Sequence, residues 1–215
     1  MIPPDVDKPT KKIKLTAPII SNTRRLMLAF DSASDDDVMW ALNTLLLFSC
    51  NTARNYTFKT NNLLEKIMIY MKNNPDKVEY IRTITLILRN LSMIRMNEIP
   101  MFKVALDGIV NVFLQYDDRE IKRNCLEIIT NLSKHIFLKD LGEICTGFLT
   151  SLLDCLFTAD MAEQTLECFR RLSLPIGNEE VLETLPDCFY EVLGKSLINK
   201  ASYEASLELL LTLSD

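Results

Sequence analysis

The sequence predicts an all-α protein made of stacked helical repeats. Three observations lead to this fold class: apolar residues recur at helical spacing from residue 21 onward, glycine occurs only five times in 215 residues, and one nine-residue pattern returns at a nearly constant interval. No stretch of useful length alternates apolar and polar residues, so we expect no sheet. Helices with one apolar stripe bury that stripe by packing against neighbouring helices.

The repeated pattern ends on a serine, and five copies lie along the chain. The five serines are Ser49, Ser92, Ser133, Ser173 and Ser214, at intervals of 43, 41, 40 and 41 residues. A period of about 41 residues is typical of armadillo and HEAT arrays. The alternative is an ordinary helical bundle with coincidental leucines, but five nearly equal intervals favour a repeat array.

Each copy of the pattern places apolar residues on one helix face. The position four before the serine holds Leu45, Leu88, Ile129, Phe169 or Leu210, and the position just before the serine holds Phe48, Leu91, Leu132, Leu172 or Leu213. The position eight before the serine is mostly small: it holds Ala41, Ile84, Cys125, Thr165 or Ser206. We expect the small residues to permit close helix approach and the serine to end the helix.

The periodicity predicts ten helices joined by short loops. They lie near residues 22–33, 36–50, 60–73, 76–95, 101–115, 118–135, 140–157, 159–173, 178–194 and 200–214. Ser34, Asp118 and Asn178 precede predicted helix starts, where their side-chain oxygens can accept hydrogen bonds from free amides. Pro75 and Pro100 mark places where helices end or begin.

The first 20 residues differ from the rest, so we predict a tail at 1–20 and a repeat domain at 21–215. Four prolines interrupt the tail, and its basic residues are Lys8, Lys11, Lys12 and Lys14. This basic stretch resembles a short nuclear-import signal, although such runs also occur by chance. We therefore expect a nuclear protein.

Composition argues against several functions. The net charge of -5 predicts no general attraction to nucleic acid or anionic lipid. No apolar stretch is long enough to span a membrane, and the start lacks a secretory pattern. The only histidine, His135, and six scattered cysteines without CxxC spacing argue against a metal site and against a catalytic triad. No phosphate-binding glycine loop occurs, so we expect no enzyme, cofactor or small-molecule substrate. We expect Trp40 in the core.

A stack of such repeats is expected to form a right-handed superhelical solenoid of about five repeats, with the last helix of each repeat lining a concave surface. Polar residues near the end of these helices should then form one row, spaced by about 10 Å per repeat step. The candidate partner-binding residues are Arg89, Asn90, Thr130, Asn131, Arg170 and Arg171. We expect this row to lack hydrogen-bond partners in the free chain.

Two of the repeats resemble the third-helix motif of armadillo proteins. Leu88-Arg89-Asn90-Leu91-Ser92 and Thr130-Asn131-Leu132-Ser133 carry an asparagine two residues before the serine. In that family the asparagine faces the groove and hydrogen-bonds an extended peptide, which implies the same role for Asn90 and Asn131. The other copies hold Leu47, Arg171 and Thr212 at this position, so a continuous asparagine ladder is not expected.

A second resemblance covers nearly all of residues 22–215. Blocks that begin at Arg24, Trp40, Leu88 and Thr165 follow the order found in the C-terminal domain of the AT-rich-interaction-domain subunit of SWI/SNF chromatin remodellers, the Osa/eyelid family. The resemblance implies a non-catalytic nuclear scaffold that binds other subunits. The DNA-binding domain of that family has no counterpart in this sequence, so direct sequence-specific DNA binding is not expected. The alternative function is a free-standing adaptor that binds linear peptides in its groove.

Overall fold

The computed structural model describes residues 22–32, 34–50, 62–197 and 203–214, and within these ranges it contains helices and no strand. The α-helices are α1 Asn22–Asp31, α2 Asp35–Cys50, α3 Asn62–Asn73, α4 Val78–Ser92, α5 Glu98–Gln115, α6 Arg119–Leu132, α7 Ile144–Leu156, α8 Ala162–Leu172, α9 Glu179–Leu182, α10 Asp187–Ser196 and α11 Tyr203–Thr212. Short 3-10 turns lie at Arg95–Asn97, Ser133–His135 and Leu138–Leu141. The predicted all-α class is confirmed.

The helices pack in two layers. In the first layer α1 contacts α3, α3 contacts α5, and α5 contacts α7; in the second layer α2, α4, α6, α8 and α11 contact one another in that order. Helix pairs α1 and α2, α5 and α6, α7 and α8, and α10 and α11 connect the layers. Each repeat therefore packs on the repeat before it, as in a solenoid.

The repeat pattern explains the core of the second layer. The five residues that lie eight positions before the serines are all buried: Ala41, Ile84, Cys125, Thr165 and Ser206. Leu88 and Ile129, four positions before Ser92 and Ser133, are fully buried as well. The predicted burial of one face of these helices is confirmed at these positions.

Three of the repeat serines end their helices, as the sequence predicts. Ser92 is the last residue of α4, and Ser133 and Ser173 directly follow α6 and α8. The hydroxyl of Ser92 donates to the carbonyl of Arg89 at 2.7 Å, and Ser173 makes the same bond to Arg170 at 2.8 Å. Such a bond satisfies a carbonyl oxygen that has no partner in the last helical turn.

The single helix predicted at 178–194 is wrong, because the chain forms α9 and α10 there. Pro186 precedes α10, and a proline ring inside a continuous helix would clash with the carbonyl four residues earlier. Asn178 also does not cap α9 with its side chain. Ser34 and Asp118 do cap: Ser34 Oγ accepts from the amide of Asp37 at 3.4 Å, and Asp118 Oδ1 from that of Ile121 at 2.9 Å.

Candidate interaction surface

Helices α4, α6 and α8 border a groove of about 600 Å³ on the outer surface of the second layer. The residues that line it are Arg89, Met93, Arg123, Glu127, Thr130, Asn131, Asp160, Glu163, Gln164 and Glu167. Three of the six predicted partner-binding residues thus lie in one groove across successive repeats: Arg89, Thr130 and Asn131. We call this surface the second-layer groove.

The asparagines of the predicted row connect neighbouring repeats. The Nδ2 atom of Asn131 donates to the Oγ atom of Ser92 at 2.8 Å, and Nδ2 of Asn90 donates to the Oγ atom of Ser49 at 3.2 Å. Both side chains are half-buried. The expectation that they lack partners in the free chain is wrong, because the serine of the preceding repeat lies within hydrogen-bond distance.

Two of the predicted arginines form the same ion pair in different repeats. Arg89 lies three residues before Ser92, and its Nε atom is 3.0 Å from Glu127 of α6. Arg170 lies three residues before Ser173, and its Nη1 atom is 2.7 Å from Glu208 of α11. Each glutamate lies six residues before the serine of the next repeat. The arginines are therefore neutralised within the stack, contrary to the expectation of an unpartnered row.

The ladder of arginine and glutamate pairs is interrupted at Thr130, which takes the arginine position in the third copy. Thr130 is buried and donates to the carbonyl of Leu126 at 2.7 Å. Glu167 on the next repeat instead pairs with its own helix, through Arg170 at 2.8 Å and Arg171 at 2.6 Å. The hydrogen bond from Arg170 lowers the pKa of Glu167, and the bond from Arg171 adds to this against the effect of burial.

The groove keeps polar groups that can contact a partner. No described residue donates to the Oδ1 atom of Asn131, and Glu163 forms no ion pair within the described ranges. Four carboxylates line the groove, and three of them, Glu127, Asp160 and Glu167, pair with arginines, which leaves Glu163 as the acidic group open to a partner among the described residues. An open amide oxygen can accept a peptide N–H, and the carboxylate of Glu163 favours a basic side chain.

Two buried asparagines, Asn97 and Asn178, stabilise the segments that follow α4 and α8. Each lies five residues after a repeat serine and donates through Nδ2 to the carbonyl of the residue before that serine, Leu91 for Asn97 and Leu172 for Asn178. Asn178 also accepts from the amide of Leu138 at 2.7 Å. The sequence shows that both asparagines lie at the same distance from a repeat serine, but only the fold shows that they pair with backbone groups of the segments between helices.

Trp40 is not a core residue, because 42% of it is exposed. Helix α2 buries Val38, Ala41, Leu42 and Leu45, and Trp40 falls beside this stripe rather than in it. The guanidinium carbon of Arg25 lies 5.1 Å from the centre of the Trp40 ring, within the range of a cation–π contact. The indole is thus available at the surface of the first repeat.

The sequence also makes predictions about metal binding, membrane spans, His135 and nuclear import. Within the described residues no group of histidine, cysteine and acidic side chains is arranged to hold a metal, and no helix is long and apolar enough to cross a membrane. His135 is half-buried, with Nε2 3.5 Å from Oε2 of Glu98. The predicted import signal, Lys8, Lys11, Lys12 and Lys14, lies outside the described residues.

Comparison with known proteins identifies the fold. No protein-family model matches the chain, and no curated protein matches it.

Solved structures of designed armadillo repeat proteins do match the chain. The designed armadillo repeat protein YIII(Dq)4CqI shares 17% identity at a TM-score of 0.66, over 87% of this chain and 80% of that chain. Another designed armadillo protein, solved in complex with the peptide (KR)4, shares 15% identity over the same shares, with a TM-score of 0.65. Computationally designed armadillo repeat proteins for modular peptide recognition match with 15% identity, the same coverage and a TM-score of 0.67. The chain is an all-α armadillo solenoid.

Proposed function

We propose that this chain is a non-catalytic scaffold that binds other protein chains through the second-layer groove. The observation that carries the proposal is a polar groove that crosses three repeats, with its side chains fixed by bonds between repeats. Fixed side chains lose little conformational entropy when a partner binds. The open oxygen of Asn131 and the carboxylate of Glu163 are groups that a protein segment can satisfy.

The more specific proposal is a subunit of a nuclear SWI/SNF-type remodelling complex. The ordered sequence blocks that resemble the Osa/eyelid family support it, and so does the basic stretch at residues 8–15. Its partners would be other subunits of that complex. An armadillo solenoid suits this role because stacked repeats present an extended surface to several chains at once.

Affinity purification of the tagged full chain from nuclear extract tests membership of a remodeller. We expect an ATPase and several core subunits to be recovered in constant ratio. A Glu163→Lys variant, altered at an exposed groove position, should recover less of them, and Glu191→Lys on the exposed surface of α10 is the matched control. Recovery of many unrelated proteins that share a short motif would contradict the remodeller assignment.

Imaging tests the nuclear assignment separately. Replacement of Lys8, Lys11, Lys12 and Lys14 by alanine should reduce nuclear accumulation of a fluorescent fusion, because import receptors recognise clustered positive charge. Melting should stay unchanged, since a tail rich in proline and lysine has little apolar surface to bury. Unaltered localisation would remove the import-signal interpretation.

A free-standing adaptor for basic linear peptides is the second candidate. The carboxylate of Glu163 in the groove favours it, and a designed protein of the same fold is described in complex with (KR)4. Fluorescence anisotropy with a labelled (KR)4 peptide tests it. The adaptor function predicts saturable binding that weakens at high salt and falls at least tenfold in Glu163→Lys. Absence of binding, or binding that this variant leaves unchanged, would exclude the adaptor.

A further inference from the structure

An exposed apolar face of α2 continues the second-layer groove. Trp40 lies nine residues before its repeat serine, which is the position that Gln164 holds in the groove. Leu47 lies two residues before the serine, which is the position of Asn131 in the groove. The exposed fraction of Leu47 is 72%, and that of Trp40 is 42%. The surface that forms the groove on α4, α6 and α8 is therefore apolar where it reaches α2.

Stacking between α2 and α4 keeps the register of the groove. Asn90 of α4 bonds the repeat serine of α2 at 3.2 Å, and Asn131 of α6 bonds the repeat serine of α4 at 2.8 Å. Helix α2 also packs on α4 as α4 packs on α6 and α6 on α8. Equivalent positions of the four helices therefore follow one another along one surface of the solenoid.

The lining changes from apolar to polar along this surface. Met39 lies ten residues before its serine and is 40% exposed, whereas α8 holds Glu163 at this position. Leu86 of α4 lies six residues before its serine, where α6 and α8 hold glutamates that line the groove. Met93, which follows α4, lines the groove and is 73% exposed. We define the apolar half of the groove as Met39, Trp40, Leu47, Leu86 and Met93.

The apolar half attracts a partner through its apolar area. The guanidinium carbon of Arg25 lies 5.1 Å from the centre of the Trp40 ring. Asp36 is exposed one turn before Trp40, at the position that Asp160 holds in the groove, and carries the opposite charge. Because these two charges offset each other, burial of aromatic and aliphatic side chains is the main stabilising contribution at this end.

The polar half contains two open charges of opposite sign, Arg123 and Glu163. Each lies ten residues before its repeat serine, on α6 and α8, and neither forms an ion pair with any residue that the structure describes. Arg123 donates to the carbonyl oxygen of Asp160 at 3.1 Å, which leaves its positive charge uncompensated. The other charged groups of the lining are paired: Arg89 with Glu127, Asp160 with Arg119, and Glu167 with Arg170 and Arg171. Such a pair of open charges selects a segment that carries an acidic and a basic side chain in a fixed order.

We propose that the groove binds an extended protein segment that presents every third residue to the solenoid. Apolar side chains face α2 and α4, an acidic side chain faces Arg123, and a basic side chain faces Glu163. This inference rests on the proposed scaffold function and names the chemistry of the segment that the scaffold holds. A continuous basic run fits less well, because Arg123 repels the positive charge beside it.

The spacing of the repeats matches an extended segment of the polyproline type. Packed helices lie about 8–10 Å apart, and three residues of such a segment rise about 9 Å and return to the same face. Its backbone amides have no internal partners, so one of them can donate to the open Oδ1 atom of Asn131. An α-helix fits less well, because its amides are bonded within the helix. Contact with all four helices needs about ten residues.

A designed peptide tests the proposal. The probe is a labelled peptide of about 12 residues that carries leucine, leucine, glutamate and lysine at every third position, with serine and proline between them. It is made in this order and in the reverse order, and each has a reference peptide in which glutamate and lysine are exchanged. Fluorescence anisotropy with the full chain should show saturable binding of one probe and at least tenfold weaker binding of its reference. If neither probe binds more tightly than its reference, or if (KR)4 binds more tightly than both probes, the proposal is overturned.

A charge exchange in the chain tests the polar half. In Arg123→Glu combined with Glu163→Arg the preference should be inverted, so that the reference peptide binds at least tenfold more tightly than the probe. The difference should shrink at high salt, because both charges are exposed. If this variant keeps the preference of the wild type, the two charges are not read by the segment and the proposal is wrong.

Substitutions on α2 test the apolar half. Trp40→Ser combined with Leu47→Ser should weaken probe binding at least tenfold, and a probe whose leucines are replaced by serine should bind this variant and the wild type equally. Phe157→Ser is the control, because Phe157 is an exposed apolar residue that follows α7 outside the groove. Circular dichroism melting checks that each variant is folded. Unchanged probe binding by the folded α2 variant would show that α2 is not part of the site.

Two further outcomes separate this inference from the scaffold function. If neither probe binds but partner proteins still co-purify and are lost in Glu163→Lys, the scaffold function holds and the proposed segment is wrong. If light scattering shows dimers that Trp40→Ser with Leu47→Ser dissociates, a second copy of the chain covers the apolar half and the proposal is also wrong.

Discussion

The Nδ2 atom of Asn131 in α6 donates a hydrogen bond of 2.8 Å to the Oγ atom of Ser92 in α4, 39 residues earlier. Asn90 makes the equivalent bond to Ser49 across 41 residues. Because the asparagine and the serine keep nearly the same separation in these two repeats, each bond fixes the register of one helix on the helix before it. The asparagines that the armadillo resemblance implies for peptide binding therefore also stabilise the stack.

The first prediction concerns this bond. Asn131→Ala should lower the free energy of unfolding by about 1 kcal/mol, because it removes a half-buried hydrogen bond between repeats. Urea titration measures the change. Asn111→Ala is the control, since the exposed Asn111 donates to the carbonyl of Asp107 in its own helix. Equal effects of the two variants would show that the bond between repeats contributes nothing.

The second prediction concerns the apolar layer beneath the polar bonds. Leu88→Ala or Leu132→Ala should lower the free energy of unfolding by about 2–5 kcal/mol, since each side chain is fully buried and leaves a cavity. Leu47→Ala is the matched control because Leu47 is exposed on α2. If Leu88→Ala lowers the free energy of unfolding by less than about 0.5 kcal/mol, the packing of the second layer is contradicted.

The sequence predicted the fold because apolar spacing within a repeat is a local property. Leu88 and Ile129 occupy equivalent positions, and any helix that stacks must bury them. The break between α9 and α10 was missed even though Pro186 lies there, because the apolar spacing continues across it. Helix existence depends on the pattern, whereas helix ends depend on single residues and their backbone bonds.

The candidate site was predicted only in part, because pairing across repeats is not visible in one helix. Arg89 and Asn131 were expected to be unpartnered, and the fold supplies Glu127 and Ser92 as partners from neighbouring helices. The signal was present, since the glutamates and serines recur at fixed offsets. These recurring residues can be recognised as contacts only when the stacking register of the helices is known. Trp40 was misplaced for a related reason: residue type predicted burial, but helix phase decided it.

The third prediction concerns pH. Asp118 caps α6 and lies 2.6 Å from Arg82 of the preceding repeat, and the hydrogen bond from Arg82 lowers its pKa below the ordinary 3.8. A lowered folded pKa means that the stabilisation is complete above the ordinary value and is lost as the pH falls through the folded pKa.

Denaturant titrations at several pH values check this. As the pH falls below about 4, wild type should lose more free energy of unfolding than Asp118→Asn, because the amide cannot gain a proton. Glu120→Gln is a control at a more exposed carboxylate that is 3.1 Å from the same arginine. If wild type and Asp118→Asn show the same pH dependence, Asp118 is not the group responsible.

The fourth prediction concerns thiol reactivity. Burial raises the pKa of Cys125, and it raises the pKa of Cys168 to about 12, so neither provides thiolate at neutral pH. Cys50 and Cys188 are exposed. A disulfide reagent should modify Cys50 and Cys188 in the folded chain and reach Cys125 and Cys168 only on unfolding, as peptide mass spectrometry can show. Rapid modification of Cys168 in the folded chain would contradict the burial of this α8 residue.

Carboxyl footprinting of the chain in its purified native assembly tests most directly whether the second-layer groove holds partners. The free chain and the assembly are labelled with a carbodiimide and an amine, and modification of Glu163 is compared with that of Glu191, an exposed residue of α10 outside the groove. A scaffold that grips its partners in the groove predicts strong protection of Glu163 in the assembly and unchanged labelling of Glu191. Equal labelling of Glu163 in the free chain and in the assembly would contradict the account.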